Sequence, residues 1–465
     1  MSLRHWQSAC IKTALDHYLY HRHFFCLATP GAGKTTMAAH LARALLASGQ
    51  IDFVLCFSPS VSVAEGFRQA FGKTLGRRFD GLIGAVGCSY TYQALLHFDA
   101  GFWEIFDNHR VMVVFDEIHH CAGTTGDDAN GWGEEILFNI QDRAHVTLAM
   151  SGTPWRSDRA PIVLSRYSDP EGQIQCDFRY GLVEAVRDGV CRRPHIVLID
   201  NEAISIRDGS EEIRTYSSFT ELLQSDKFPY HALISHEDAI RFMLARGCDR
   251  LAQIRRENPY AGGLVVAASV AHAKRIADML TDTFAQSVML VSYQNPDAAE
   301  LIRRFRESTT QWIVSIGMVS EGTDIPRLQV CCHLSPIKTE LHYRQVLGRI
   351  LRVTGAVNQD AWLLTFAEPN LSDFAHRVGE DLPGEAVVSI ERVHGGQAVL
   401  GELSANFGDI TRFGAEHETE EYESDAIAPV DLTLDAGTST SRPLATLLHM
   451  GHFREQVIAT FNSPF

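Results

Sequence analysis

Two short runs carry the chemistry of this chain. Residues 28–35 read Ala28-Thr29-Pro30-Gly31-Ala32-Gly33-Lys34-Thr35, and Asp116-Glu117 stand together further on. The first run is a phosphate cradle. Its glycines let backbone N–H groups turn toward phosphate oxygens, and the N-terminus of the following helix adds partial positive charge there. In such a loop the Lys34 ammonium reaches the β- and γ-phosphates and the Thr35 hydroxyl ligates magnesium. Thr29, Pro30, Gly31, Ala32, Gly33 and Thr36 complete the expected phosphate-binding set. The paired acids suit phosphoryl transfer: Asp116 to hold Mg2+ through water, Glu117 as the general base that orients the attacking water. The expected ligand is a nucleoside triphosphate with magnesium.

These residues need a frame that holds them. Phe24-Phe25-Cys26-Leu27-Ala28 is a short apolar run, as a buried parallel strand requires, and it feeds the glycines. An Ala- and Leu-rich helix is expected from Lys34 to about Ser48, stopped by Gly49. Val111-Met112-Val113-Val114-Phe115 is a second buried strand, and it ends at the two acids. Strands and helices alternate through most of the chain, which predicts an α/β fold of mostly parallel sheets covered on both faces.

Ala28 stands where the general Gly-x-x-x-x-Gly-Lys-Thr pattern has glycine, and with Asp116-Glu117-Ile118-His119 the chain resembles the superfamily 2 helicases and translocases of the Asp-Glu-x-His type. The resemblance covers roughly residues 4–366, with its elements in the family's order. It implies two tandem RecA-like domains with a nucleotide cleft between them, plus a C-terminal extension. It also implies ATP as the nucleotide, hydrolysed with Mg2+. Arg4, Trp6 and Gln7 resemble the adenine-reading element. Ser58-Pro59 and Thr91-Tyr92 resemble nucleic-acid contacts, as do Ser269, His272 and Ser320 in the second half. Ser151-Gly152-Thr153-Pro154 resembles the element that couples hydrolysis to domain movement. Ser320-Glu321-Gly322-Thr323-Asp324 resembles the fifth motif, with Gly322 and Asp324 on the nucleotide side. Gln345, Gly348, Arg349 and Arg352 match the sixth.

A helix starting near Thr339 is expected to carry Gln345, Arg349 and Arg352 on one face, at i, i+4 and i+7. A guanidinium from a second domain can stabilise the charge that develops on a transferring phosphoryl group, so all three residues join the catalytic set. His119 is expected to meet Gln345 across the cleft. By the same resemblance the partner is nucleic acid, DNA rather than RNA, within a restriction, repair or phage-defence setting. An RNA helicase, or a nucleotide-gated clamp with little turnover, uses the same residues and stays open at this point.

The chain has 465 residues, 45% of them hydrophobic, and a formal net charge of −16. That length implies more than one domain, and that charge argues at first against a polyanionic partner. Between Glu402 and Asp435, however, ten acids face a single base, Arg412, so this stretch alone carries −9 and the remainder −7. A motor that grips a backbone through amides and hydroxyls tolerates such a balance. Ten cysteines without any Cys-x-x-Cys pair suggest a reducing compartment and no zinc ribbon. No apolar run reaches membrane-spanning length and Met1–His5 is no secretory leader, so a cytoplasmic location without a membrane partner is expected. His17 and His21 have the spacing of a metal pair but bring no acid or thiol with them.

The expected organisation is a first domain over 1–195 and a polar connection over 196–235, with a turn at Asp208-Gly209-Ser210 and a small hairpin. The second domain follows over 236–370 and the extension over 371–465. In that extension, residues 414–442 read as an acidic disordered linker. Leu444–Phe461 reads as an amphipathic terminal helix, either docked on the motor or free to bind a protein partner.

Overall fold

The computed structural model describes residues 3–378, apart from 125–128, 157, 159, 169–171, 208–212, 226–227, 293, 296 and 317–324, together with 446–459. The expected turn at 208–210 and the acidic linker therefore lie outside the described residues, as do Ser320, Gly322 and Asp324.

Short apolar runs bounded by loops build the first sheet. Its strands are β1 (His23–Ala28), β2 (Phe53–Ser58), β3 (Gly87–Thr91), β4 (Val111–Asp116) and β5 (Val146–Ser151). After a small hairpin, β6 (Arg166–Tyr167) and β7 (Ile174–Gln175), comes β8 (Phe178–Tyr180). The order is β3-β2-β4-β5-β1-β8, and every pairing is parallel. Parallel strands need crossover helices on their faces, so the strands are buried on both sides; β4 has no exposed residue along its length.

The second sheet takes β9 (Arg193–Asn201), β12 (Gly262–Val266), β13 (Val288–Val291), β14 (Trp312–Ser315), β15 (Leu328–His333), β16 (Asp360–Phe366) and β18 (Phe453–Ala459). A separate three-stranded sheet joins β10 (Ile204–Arg207), β11 (Ile213–Tyr216) and β17 (Thr446–His449). The large sheet runs β13-β14-β12-β15-β16-β9-β18 and is parallel except for its last pair. Two tandem parallel-sheet domains are thus present, as expected.

One boundary differs from the sequence reading. The connection assigned to 196–235 begins inside β9, which pairs with β16 and belongs wholly to the second sheet. Ile196-Val197-Leu198-Ile199 is a buried apolar run hidden by polar neighbours. The hairpin, β10 with β11, lies just beyond it.

The terminal helix is also corrected: residues 446–459 form two strands. β18 pairs antiparallel with β9, stacks Phe453 on Phe242 at 4.3 Å, and joins Arg454 to Asp200 at 2.6 Å. A strand edge left open by β9 outweighs the weak local preference of this segment, the usual way tertiary pairing overrides propensity.

At the seam between the domains lies Arg192, fully buried. Its guanidinium donates to the carbonyls of Leu328 at 2.5 Å and Ile350 at 3.2 Å. Burial pushes its pKa down to about 10, still far above neutrality, so a charge is held in the seam by backbone carbonyls. We expect Phe453→Ala to cost ~2 kcal/mol in urea unfolding, the usual scale for a partly buried aromatic. A change indistinguishable from zero would mean that β18 adds nothing to the second sheet.

Candidate functional site

The carboxyl ends of β1, β4 and β5 lie side by side, and each delivers a predicted residue. After β1 the chain turns through Gly31 and Gly33, at φ +82° and +93°, a left-handed backbone that side chains resist. Gly33 then caps the Lys34–Ala47 helix. Lys34 is buried, and its ammonium donates to Glu117 Oε1 at 2.9 Å and to the Ala28 carbonyl at 3.3 Å. Burial opposes its charge, but the carboxylates of Glu117 and Asp116 outweigh burial and raise its pKa.

Glu117 is the hub of the site. It sits in the left-handed region at φ +50°. Its Oε2 accepts from the Ser151 hydroxyl at 3.2 Å and the Gly152 N–H at 3.3 Å. Burial alone would raise its pKa; Lys34 foremost, then His119 and the Gly152 N–H, hold it below the usual carboxylate range. Asp116 differs. Burial, and then the adjacent Glu117 charge, push it up to about 7. Its Oδ1 is buried with no hydrogen-bond partner. An orphaned carboxylate oxygen on Asp116 and the hydroxyl of Thr35 in the first turn of the helix after the phosphate turn are the hard oxygen donors that magnesium prefers, so these residues fit that ion. No group of three or more His, Cys, Asp or Glu among the described residues is placed to hold a metal; the His17 ring lies against that of His21 at 4.6 Å, with its Nε2 2.8 Å from the His23 carbonyl.

The adenine-element residues brace the loop from behind. Arg4 donates to the Ala32 carbonyl at 2.6 Å and Gln7 to the Gly33 carbonyl at 3.0 Å. Trp6 is buried and stacks on Tyr180 at 4.8 Å, a partner that sequence reasoning missed because Tyr180 lies in a short strand with no motif around it.

The second domain reaches the same loop. Its Glu340–Ile350 helix is capped by Thr339 and carries Gln345 and Arg349, as expected. A side chain at Gly348 would lie 2.8 Å from Pro30, and one at Gly31 would lie 3.2 Å from Arg352, so this helix end presses directly on the phosphate turn. Arg352 is not on the helix, which ends at Ile350; it follows in a bridge to Cys191. Arg192 ends the helix by taking the Ile350 carbonyl through its guanidinium and the Leu351 carbonyl through its backbone N–H at 2.7 Å. The space left between the domains is a cavity of about 30 Å3, lined by Thr29, Pro30, Thr153, Arg344, Leu347 and Gly348 among others.

Several predicted contacts are placed differently. His119 Nδ1 pairs with Ser151 Oγ at 2.9 Å, and its buried Nε2 has no hydrogen-bond partner, so the expected bond to Gln345 is not made. Burial first, then the neighbouring His120, lower the His119 pKa to about 3, so the ring is neutral at ordinary pH. Tyr92 is fully buried and donates to the Asp116 carbonyl at 2.8 Å; it supports the acidic strand and cannot face a nucleic acid. Ser58 is fully buried, with its hydroxyl 3.4 Å from the Tyr90 carbonyl, whereas Pro59 and Thr91 reach the surface in part. Ser151 and Thr153 are buried around Glu117. Ser269 caps the Val270–Asp282 helix, and buried His272 accepts from the Ala268 N–H at 3.1 Å, a fold role instead of an outward contact. In each case the parallel sheet turns the end of the strand inward, which local sequence cannot announce.

Two family descriptions match the chain: "Type III restriction enzyme, res subunit" over residues 1–156, and "Helicase conserved C-terminal domain" over residues 248–354. An uncharacterized protein of Mycobacterium tuberculosis is 31% identical over 388 residues, covering 80% of this chain and 62% of that protein. The chain therefore spans less than two thirds of that relative. The DNA 3'-5' translocase XPB2 of Sulfurisphaera tokodaii is 20% identical over 396 residues, covering 80% of this chain and 83% of that protein. Among solved structures, a fragment assigned as an HsdR subunit of a type I restriction enzyme from Vibrio vulnificus aligns with a TM-score of 0.55 at 14% identity, over 82% of this chain and 67% of that one, a likeness of fold.

The raised Asp116 pKa has a stability consequence. Its folded value, about 7, lies above the unfolded one, so the folded state holds the proton more tightly. The strain of the buried charge is absent below about pH 4, grows as pH rises, and levels off above about pH 7. Asp116→Asn should therefore stabilise the ligand-free protein relative to the parent, by on the order of 2–4 kcal/mol more at pH 8 than at pH 4.5. Urea unfolding at the two pH values checks this, and a difference independent of pH would assign another cause.

Proposed function

From a chain that belongs to the superfamily 2 helicases, on their restriction-like branch, we propose an ATP-dependent DNA translocase or helicase that moves on nucleic acid by opening and closing its two domains. The observation that carries this reading is Glu117. One carboxylate is tied to Lys34 of the phosphate turn and to Ser151-Gly152 of the coupling element, and the second domain's helix presses on that same turn. The nucleotide's phosphates take the place of Glu117 beside Lys34, which frees the carboxylate to accept a proton from water. Asp116 and Thr35 would hold Mg2+, which would supply charge neutralisation of the phosphates when bound. Arg349 and Arg352, brought by the second domain, stabilise the transferring group, so turnover requires closure. The DNA preference draws on the XPB2 translocase among the relatives, and DNA repair, restriction or phage defence are the settings it fits.

The test is steady-state ATP hydrolysis with and without duplex DNA, single-stranded DNA and RNA at fixed salt. Stimulation by DNA is expected; stimulation by RNA alone would replace DNA with RNA in this reading. No stimulation by any of them would leave a clamp. Two sets of variants probe the roles. Lys34→Ala should lose both ATP affinity and hydrolysis. Arg349→Ala and Arg352→Ala should retain nucleotide binding and lose turnover by about 10³-fold; ordinary turnover in either would remove the two-domain active site.

A further inference from the structure

One contact between the domains belongs to no motif. Trp155 closes the coupling element of the first domain, two residues after Thr153, and is only 7% exposed. The guanidinium of Arg344, from the second domain's helix, lies over its ring at 5.4 Å from the centroid. Arg344 is not a mobile surface arginine. Its Nε donates to Glu340 at 2.9 Å and its Nη2 to the Arg377 carbonyl at 3.0 Å, and its side chain is 11% exposed. A cation–π contact strengthens when water is excluded from both partners, as it is here.

Each partner is wired to chemistry on its own side. Thr153 N–H donates to Ser151 Oγ at 3.0 Å, and that hydroxyl donates to Glu117. Arg344 directly precedes Gln345 and stands just over one helical turn before Arg349. Arg344, Thr153 and Gly348 line the same narrow inter-domain cavity. The pair therefore links the base-holding network to the helix that carries the arginines, without either residue touching the reacting atoms.

We propose that Trp155 and Arg344 form a latch that holds the two domains closed and so positions Arg349 against the phosphate turn. Both are positioning residues. This rests on the motor reading for its effect on turnover, but not for its effect on closure. The latch also explains the length of the side chain needed at 344. The charge must span from the Glu340–Ile350 helix to the far wall of the cleft while staying anchored to Glu340, and lysine reaches with a charge but without the fork that Glu340 fixes.

The experiment measures closure directly. Ile83, 98% exposed in the first domain, and Val357, 91% exposed in the second, are replaced as Ile83→Cys and Val357→Cys to carry a donor and an acceptor dye. Eight of the ten native cysteines are buried, so labelling is directed to the new sites. In the ligand-free protein Arg344→Met should lower energy transfer between the dyes, and Arg344→Lys should recover part of it. Trp155→Phe, which keeps a ring in the core, should fall between the parent and Arg344→Met. Nucleic-acid-stimulated kcat should drop about tenfold in Arg344→Met with less than a twofold change in KM for ATP, the size of one desolvated cation–π contact. The double variant Trp155→Phe/Arg344→Met should be no worse than Arg344→Met. Parental energy transfer in a folded Arg344→Met protein would overturn the latch, whatever the turnover. A parent protein that no nucleic acid stimulates would instead count against the motor reading, and energy transfer alone would then decide the latch.

Discussion

A buried ammonium beside two adjacent carboxylates is the constraint on which the rest of the structure depends. Taking Lys34, Asp116 and Glu117 out of water costs several kcal/mol per ion unless each finds a fixed partner. The partners arrive from three strands: the Ala28 carbonyl from β1, the acids themselves from β4, and the Ser151 hydroxyl with the Gly152 N–H from β5. Only a parallel sheet in which β4, β5 and β1 are consecutive neighbours places those three carboxyl ends together. The topology and the charge cluster are two statements of one requirement. The residual imbalance, two negative charges against one positive, falls on Asp116, whose pKa is raised first by burial and then by the Glu117 charge beside it.

The second constraint is close approach. Two domains can share one nucleotide only if their backbones come nearer than ordinary side chains permit. Here the contact is made by residues with little to offer sterically: Gly348 against Pro30, and Gly31 against the stem of Arg352. Arg192 then holds the seam through main-chain carbonyls instead of a carboxylate. A carbonyl partner neutralises no charge, so this contact of Arg192 is one that a change in ionic strength weakens less than it would an exposed ion pair.

What the sequence made legible follows from what the chemistry dictates locally. The phosphate turn, the acids at the end of β4 and the Thr339 cap need particular residue types at fixed spacing, and each stands where it was read. Tyr92, Ser58 and His272 were read as outward contacts because their motif positions are known only as a string. Whether such a residue points to solvent or into the sheet is decided by the register of strands distant in sequence, and Tyr92 turns inward to reach the carbonyl of Asp116. Arg352 was placed on a helix by counting residues, but the helix is ended by Arg192, far upstream, which no periodicity within 339–352 could reveal. The strand at 453–459 was hidden for a related reason: its preference is supplied by the open edge of β9.

That last pairing has a consequence in time. Arg454 bonds Asp200 across 254 residues of chain. At synthesis rates of about 5–20 residues per second, the edge of β9 emerges roughly ten to fifty seconds before the strand that will cover it. During that interval the nascent second domain presents an unsatisfied row of N–H and C=O groups beside the apolar ring of Phe242. The first domain, whose six strands all precede β9, is under no such delay. The chain is therefore asymmetric on the ribosome: one half able to finish early, the other held incomplete until β18 emerges, and for that interval a substrate for chaperones or for its own copies.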